Sequence, residues 1–336
     1  NPSVAIQDDG GLTREPDPPL NLAATDGNAL EMFLTTDTAG ADTSVAAGWK
    51  SFASTDSITL AAEGTAYVWV MYRDIAGNAS AWVFDSTVFD STPPTSSVTT
   101  SGAYNAATWQ DSGSAVKGTA SDGGSGVDSV YVRILFEDSL FWDGSSWSSP
   151  TPVDLPAGLS GSDWEYALGA SDLSNGTYSV EAQAVAAAGN RESPRSTGSF
   201  VFDTDAPDLV QITIEDMSGY TADADPALTL NASDVAEMRI GCAQTGHTTA
   251  WKPYATSDSI DISAAGSNTD VEICVQYRDN LGNPSPWVCD NTVYDITPPT
   301  STILTSGTYN AASWSSQAQQ RIEGTAGDAS AGVDTV

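Results

Sequence analysis

The chain has 336 residues, 11 of them lysine or arginine and 44 aspartate or glutamate, and its net charge of −33 repels phosphate backbones and anionic lipid and sets nucleic-acid binding aside. Hydrophobic residues reach 40% and tryptophans number ten, more apolar material than a disordered acidic chain carries, while no run of 18 or more apolar residues is present to insert into a membrane. The length holds two or three ordinary domains; the sequence starts at Asn1 without a visible signal peptide and reads as a mature fragment or an excerpt, and its acidity suits a saline or calcium-rich extracellular setting.

In chain order, the strand signals begin at Leu20–Leu22 and Met32–Leu34. The run Ala66–Tyr72 follows, with Ala66, Val68, Val70 and Tyr72 on one face and Tyr67, Trp69 and Met71 on the other. Pro93–Pro94 then ends pairing and stiffens the connection. Val127–Phe136, Trp164–Ala167 and Tyr178–Val185 are the next strands, and Leu228–Leu230, Met238–Ile240 and Val271–Tyr277 the last clear ones before Pro298–Pro299. Gly, Asn, Asp and Ser punctuate the chain throughout, and helical periodicity is absent.

Self-similarity organises these segments. YRDIAGNASAWVFDSTVFDSTPPT from Tyr72 returns as YRDNLGNPSPWVCDNTVYDITPPT from Tyr277, 205 residues later, and SSVTTSGAYNAATW from Ser96 returns as STILTSGTYNAASW from Ser301. The period holds two module types: B at 1–90 and 204–295, and A at 91–203, with an incomplete copy at 296–336. That last piece is too short to bury a core alone; either the sequence stops partway through a module, or the tail lends strands to another chain. On the open face Tyr67, Trp69 and Met71 of one B become Glu272, Cys274 and Gln276 of the other, while the opposite face stays apolar. Short strands, turn signals and module length together predict an all-β protein of tandem immunoglobulin-like β-sandwich modules in a linear array.

Module B, with AEMRI from Ala236, WKPYAT from Trp251, the hairpin YRDNLGN and the closing D-x-T-P-P-T, resembles the immunoglobulin-like or fibronectin-III-like repeats of giant bacterial and archaeal surface proteins. Module A, with GTASDGGSGVDSVYVRI from Gly118, FWDGSSWSS from Phe141 and NGTYSVEAQAVAAAGN from Asn175, resembles the Big-type modules of the same proteins. The resemblance covers essentially the whole chain. It implies adhesins, biofilm components, surface fibres or appendages of large secreted enzymes.

In such modules the last strand ends at the next module, whose inter-strand loops face that exit. At the A-to-B joint this gathers Asp203, Asp205, Asp234 and Asp279; at the B-to-A joint it gathers Asp90 and Asp122 with Asp128 nearby, a set repeated by Asp295, Asp328 and Asp334. Carboxylates with backbone carbonyls supply the six to eight oxygens Ca²⁺ takes, and collecting them without a cation costs mutual repulsion. The alternative is that Asp in D-x-x-G-N only orders its turn through backbone N–H groups. Both readings stand at this level.

The three cysteines all lie in the second B. Cys274 and Cys289 replace Trp69 and Phe84 and are symmetric about the hairpin centre, so a cross-strand disulfide is expected, against two free thiols; Cys242 falls on the apolar phase of its strand. No CxxC points to zinc. The single histidine, His247, leaves no Ser-His-Asp or Cys-His arrangement to assemble. Trp142 and Trp147 either stack on sugars from an exposed hairpin or pack into it. Asn78, Asn175 and Asn231 sit in N-x-S/T sequons. The expectation is a non-enzymatic extracellular or cell-surface repeat protein, a spacer, fibre or adhesin stalk rigidified by Ca²⁺. Its partners are other copies or neighbouring repeats. The rival readings are a glycan- or protein-binding module and the accessory repeats of a secreted hydrolase.

Overall fold

The computed structural model describes residues 2–24, 29–37, 39, 48–216, 218–304, 324–328 and 332. The chain divides into two compact units, Asn1–Asp203 and Thr204–Val336.

In the first unit, residues 3–89 form two packed sheets. One orders Ser3–Ile6, Pro19–Ala23 and Thr55–Ser57; the other orders Leu12–Thr13, Val83–Phe89, Gly64–Asp74, Ala29–Thr35 and Lys50–Ser51. The leading segment changes sheets between Ile6 and Leu12. Gly10 and Gly11 make this possible by adopting φ of 62° and 86°, after which Leu12–Thr13 runs parallel to Val83–Phe89. Period-two patterning places Leu20, Leu22, Val68, Val70 and Tyr72 between the sheets. Tyr72 closes the edge of this core by donating its hydroxyl to the Ser3 carbonyl at 2.7 Å.

Residues 208–294 of the second unit repeat this plan. Asp208–Ile214, Ala227–Ser233 and Ser257–Ser259 form one sheet, and Tyr220–Thr221, Val288–Tyr294, Thr269–Arg278, Glu237–Cys242 and His247–Thr248 the other. Tyr277 donates to the Gln211 carbonyl at 2.7 Å as Tyr72 does to Ser3. Asp85 and Asp290 accept from the Ile6 and Ile214 amides in the two copies. Both outer faces also carry a column of rings and guanidinium groups. Trp82, Phe33, Trp49 and Arg73 form it in the first copy, Trp287, Arg239, Trp251 and Arg278 in the second, each ending on a carboxylate, Glu31 or Glu237. Cation–π stacking lets Arg239 stand where Phe33 stands without breaking the column.

Residues 95–202 build a different sandwich. Eight of its strands run in one continuous path, Gly102–Tyr104, Ser196–Phe202, Gly176–Ala186, Val127–Phe136, Leu155–Ser160, Asp163–Ala167, Ala115–Ser121 and Thr95–Val98, and the hairpin strands Leu140–Trp142 and Trp147–Ser149 branch off Val127–Phe136. Leu155–Ser160 bridges the two faces. Leu155 to Ala157 pair with Val130 to Val132, and Gly158 to Ser160 pair with Asp163 to Glu165. The core gathers Trp109, Trp164, Tyr178, Phe200 and the aliphatic side of Val127–Phe136. Gly118 lies flat against it: a Cβ there would stand 1.9 Å from the Ser97 carbonyl and 2.3 Å from the Trp164 ring.

The sequence shows no helical period, yet Ala106–Asp111 is a short α-helix. One and a half turns cannot display a 3.6-residue repeat. The local signal is the cap: Asn105 accepts from the Thr108 amide while the Thr108 hydroxyl accepts from the Asn105 amide. Trp109, fully buried and stacked on Phe200 at 4.8 Å, fixes the helix to the core. In the segment 296–336, Thr300–Ile303 pairs with Gly324–Gly327.

Candidate functional site

Asp90 ends the first sandwich and lies between its core and that of residues 95–202. Its side chain is wholly buried. The backbone ties it to both sides: its amide donates to the Thr13 carbonyl at 2.9 Å, and its carbonyl accepts from Asn190 Nδ2 at 2.6 Å. One carboxylate oxygen accepts from the Thr92 amide at 3.1 Å, the other from the Ser125 amide at 2.8 Å and the Ser125 hydroxyl at 2.5 Å. Ser125 Oγ in turn accepts from the Ala188 amide. Burial pushes the Asp90 carboxyl up, but the two bonds from Ser125, the Thr92 amide and neighbouring Asp122 outweigh it and hold the group below the usual carboxylate range. Gly124 leaves room for this, since a Cβ there would stand 2.5 Å from the Asp90 carboxyl carbon.

Two further contacts brace the same joint. Arg14 donates to the Gly189 carbonyl at 3.0 Å. Glu63 accepts from the amide and hydroxyl of Ser91 and from the Thr92 hydroxyl, bonds that hold its carboxyl below its ordinary pKa.

Asp122 is drawn to Asp90 as the sequence leads one to expect. Its Oδ2 accepts from the Gly124 and Gly126 amides at 3.1 and 2.8 Å, while its Oδ1 is buried with no hydrogen-bond partner. A buried carboxylate oxygen without a donor, beside a second carboxylate, fits a hard cation; Asp90, Asp122 and adjacent backbone carbonyls are the groups that would hold it. Asp128 is exposed.

The other predicted acids divide differently. Asp203 closes the first compact unit, while Asp205, Asp234 and Asp279 belong to the second. Asp279 is buried in its own turn: Oδ1 accepts from the Leu281 and Asn283 amides at 2.9 and 2.8 Å, and Oδ2 from Asn283 Nδ2 at 2.8 Å. Asp74 does the same with Ala76 and Asn78, and these bonds, that of the Asn78 side chain foremost, lower its pKa. Turn ordering thus accounts for the Asp of D-x-x-G-N. Asp205 and Asp234 are exposed, Asp234 at a φ of 54°. Asp295 repeats the backbone role of Asp90, its amide donating to Thr221, and its carboxylate accepts from the Thr297 amide and the Ser267 hydroxyl. Asp328 is half-buried after Gly324–Gly327, and Asp334 lies outside the described residues.

Cys274 and Cys289 are register partners and form a disulfide, and Cys242 is a buried free thiol. Glu272 reaches the same spot, its carboxylate within 4.8 Å of both sulfurs, but the S–S bond occupies them. Trp142 is buried, donating to the Tyr166 hydroxyl at 3.0 Å, and Trp147 is half-buried against Phe136 and Tyr178, donating to the Asp172 carbonyl. Their hairpin therefore packs onto the core of its own module. His247 is exposed on a hairpin edge.

The residue that sequence reasoning missed is Asn190. Its signal was present: Gly189-Asn190 matches Gly77-Asn78 and Gly282-Asn283. Where B modules have Asp74 or Asp279 for that asparagine to bond, this module has Ala186, and Asn190 reaches across the joint to Asp90 instead.

No family model matches the chain, and no curated protein does. Solved structures similar to it include one from a study of host cell surface retention of a 1.5-MDa bacterial ice-binding adhesin, at 16% identity over 88% of this chain and 96% of that one, TM-score 0.44. A tetra-tandem repeat from the extending region of a large adhesion protein is similar at 17% identity over 90% of this chain and 77% of that one, TM-score 0.29. Fibronectin(III)-like modules of Clostridium thermocellum CbhA are similar at 13% identity over 60% of this chain and 94% of theirs, TM-score 0.28.

Proposed function

We propose that this chain is a non-enzymatic spacer of an extracellular or cell-surface protein, in which the sandwiches of residues 3–89 and 95–202 are held in a fixed relation by a locked joint. The observation that carries this reading is the buried Asp90, whose five hydrogen bonds reach the module before it, the linker after it and two loops of the next module. A flexible tether has no need to bury and saturate a carboxylate at its hinge, whereas a strut that transmits length does. A Ca²⁺ ion at Asp90 and Asp122 belongs to the same proposal, supported by the donorless buried oxygen of Asp122. The disulfide suits an oxidising compartment. Among the described residues no helix is long and apolar enough to cross a membrane.

The test is a thermal melt of the full chain in EDTA and then in added Ca²⁺, with small-angle scattering under both conditions. The expected result is a raised melting temperature and a narrower distribution of shapes with Ca²⁺. Melts and scattering indifferent to chelation remove the cation. An Asp90→Ala chain whose scattering matches the parent removes the locked joint.

A further inference from the structure

The first sandwich presents three rings on the outer face of its larger sheet. Tyr67 and Phe84 are 45% and 53% exposed, and Trp69 lies half-buried beside them. Trp69 and Phe84 are 4.4 Å apart and tilted by 34°, Tyr67 and Trp69 are 6.5 Å apart and tilted by 33°, and Tyr67 stands 6.0 Å from Phe84. The result is a shallow, open platform, with Ser86 opposite Tyr67 and Thr35 opposite Trp69 in the strand register.

The second copy of the sandwich is an internal control. At the places of Tyr67, Trp69 and Phe84 it has Glu272, Cys274 and Cys289. Trp69 and Phe84 are register partners, as Cys274 and Cys289 are. One cross-strand clamp, aromatic or disulfide, therefore satisfies the hairpin at this position. The same strands in the same order fold without any exposed ring there. Tyr67 and the outward area of Phe84 are surplus to the fold of the module.

We propose that this platform is a binding site for a neutral oligosaccharide. The C–H faces of successive sugar rings stack on Trp69, Tyr67 and Phe84, whose π-faces are electron-rich, and the sugar hydroxyls meet Ser86 and Thr35 at the margin. Size and charge select this occupant. Three aromatic side chains of about 150–250 Å² each, already roughly half covered, offer on the order of 300 Å², well under the ~800 Å² per partner of a stable protein interface. A second copy of the chain brings another −33 charges against the first, and polyanionic glycans meet the same repulsion. The proposal is independent of the joint described above.

The test is native affinity electrophoresis of the full chain through gels containing dextran, galactomannan, mixed-linkage β-glucan or xylan. Calorimetry with a hexasaccharide of the retarding polymer follows. Tyr67→Glu and the double variant Trp69→Cys/Phe84→Cys carry the residues of the second copy at the same positions. The parent chain is expected to be retarded by at least one polymer, and each variant to bind at least about tenfold more weakly. Hydroxyl-radical footprinting of the unaltered chain gives a reading that does not depend on how the variants fold: the hexasaccharide should protect Trp69 and Phe84 and leave Trp287 unprotected. Three outcomes overturn the proposal. These are no retardation by any of the polymers, retardation without protection of Trp69 and Phe84, and self-association of the parent that the variants abolish, which would assign the face to a second copy.

Discussion

Replacing Asp90 with alanine removes three bonds at once: 2.5 Å to the Ser125 hydroxyl, 2.8 Å to the Ser125 amide and 3.1 Å to the Thr92 amide. Bonds to a charged acceptor contribute about 1.5–3 kcal/mol each. Thr92 is exposed and its amide regains water, so the two donors of half-buried Ser125 carry most of the loss. The expected destabilisation is about 3 kcal/mol, read from urea unfolding of the full chain, together with lost hydrogen-exchange protection of the Ser125 and Ala188 amides. The pH dependence has a definite sign. The folded pKa of Asp90 is depressed, so its contribution is complete above the unfolded value near 3.9 and is lost as pH falls through the folded one. Asp90→Asn does not titrate and lacks this acid-side loss, so the difference between parent and variant below about pH 4 isolates Asp90 from the other carboxylates. A loss under about 0.5 kcal/mol for Asp90→Ala, the range of an inconsequential surface change, with Ser125 still protected, refutes the argument.

Other expectations follow from single features. Reducing or removing the Cys274–Cys289 bridge, which spans 15 residues, should lower the stability of the second B sandwich by about 3 kcal/mol and leave residues 3–89 unaffected; equal effects on both copies in a module-resolved melt contradict this. Gly118→Ala should cost more than about 3 kcal/mol, because its Cβ meets a backbone carbonyl at 1.9 Å; a melt unchanged from the parent refutes it. Burial pushes Tyr72 up to about 12 and raises Tyr277 as well. A tyrosinate titration should therefore stay incomplete near pH 11, and stability held fully below the unfolded value of about 10 should fall as pH rises through the folded values. Ionisation of all 11 tyrosines in one step near pH 10 contradicts this.

The sandwich was legible in the residues because alternation is a local property. Val127–Phe136 is a strand over the span its pattern predicts, and Ala66–Tyr72 lies within Gly64–Asp74, since period two places every second side chain in the core whatever the partner strand. The pairing of Cys274 with Cys289 was legible from hairpin symmetry, which fixes register once the turn is known. Asp90 and Asp122 could be named as neighbours because the 205-residue repeat marks module edges. Other features depend on distances between segments far apart in the chain, and only the folded molecule decided them. It turned Trp142 inward and directed Asn190 across a joint to Asp90. A sequence pattern tells which side of a strand a residue faces; whether that side meets water, a neighbouring loop or another sheet depends on how the sandwiches close.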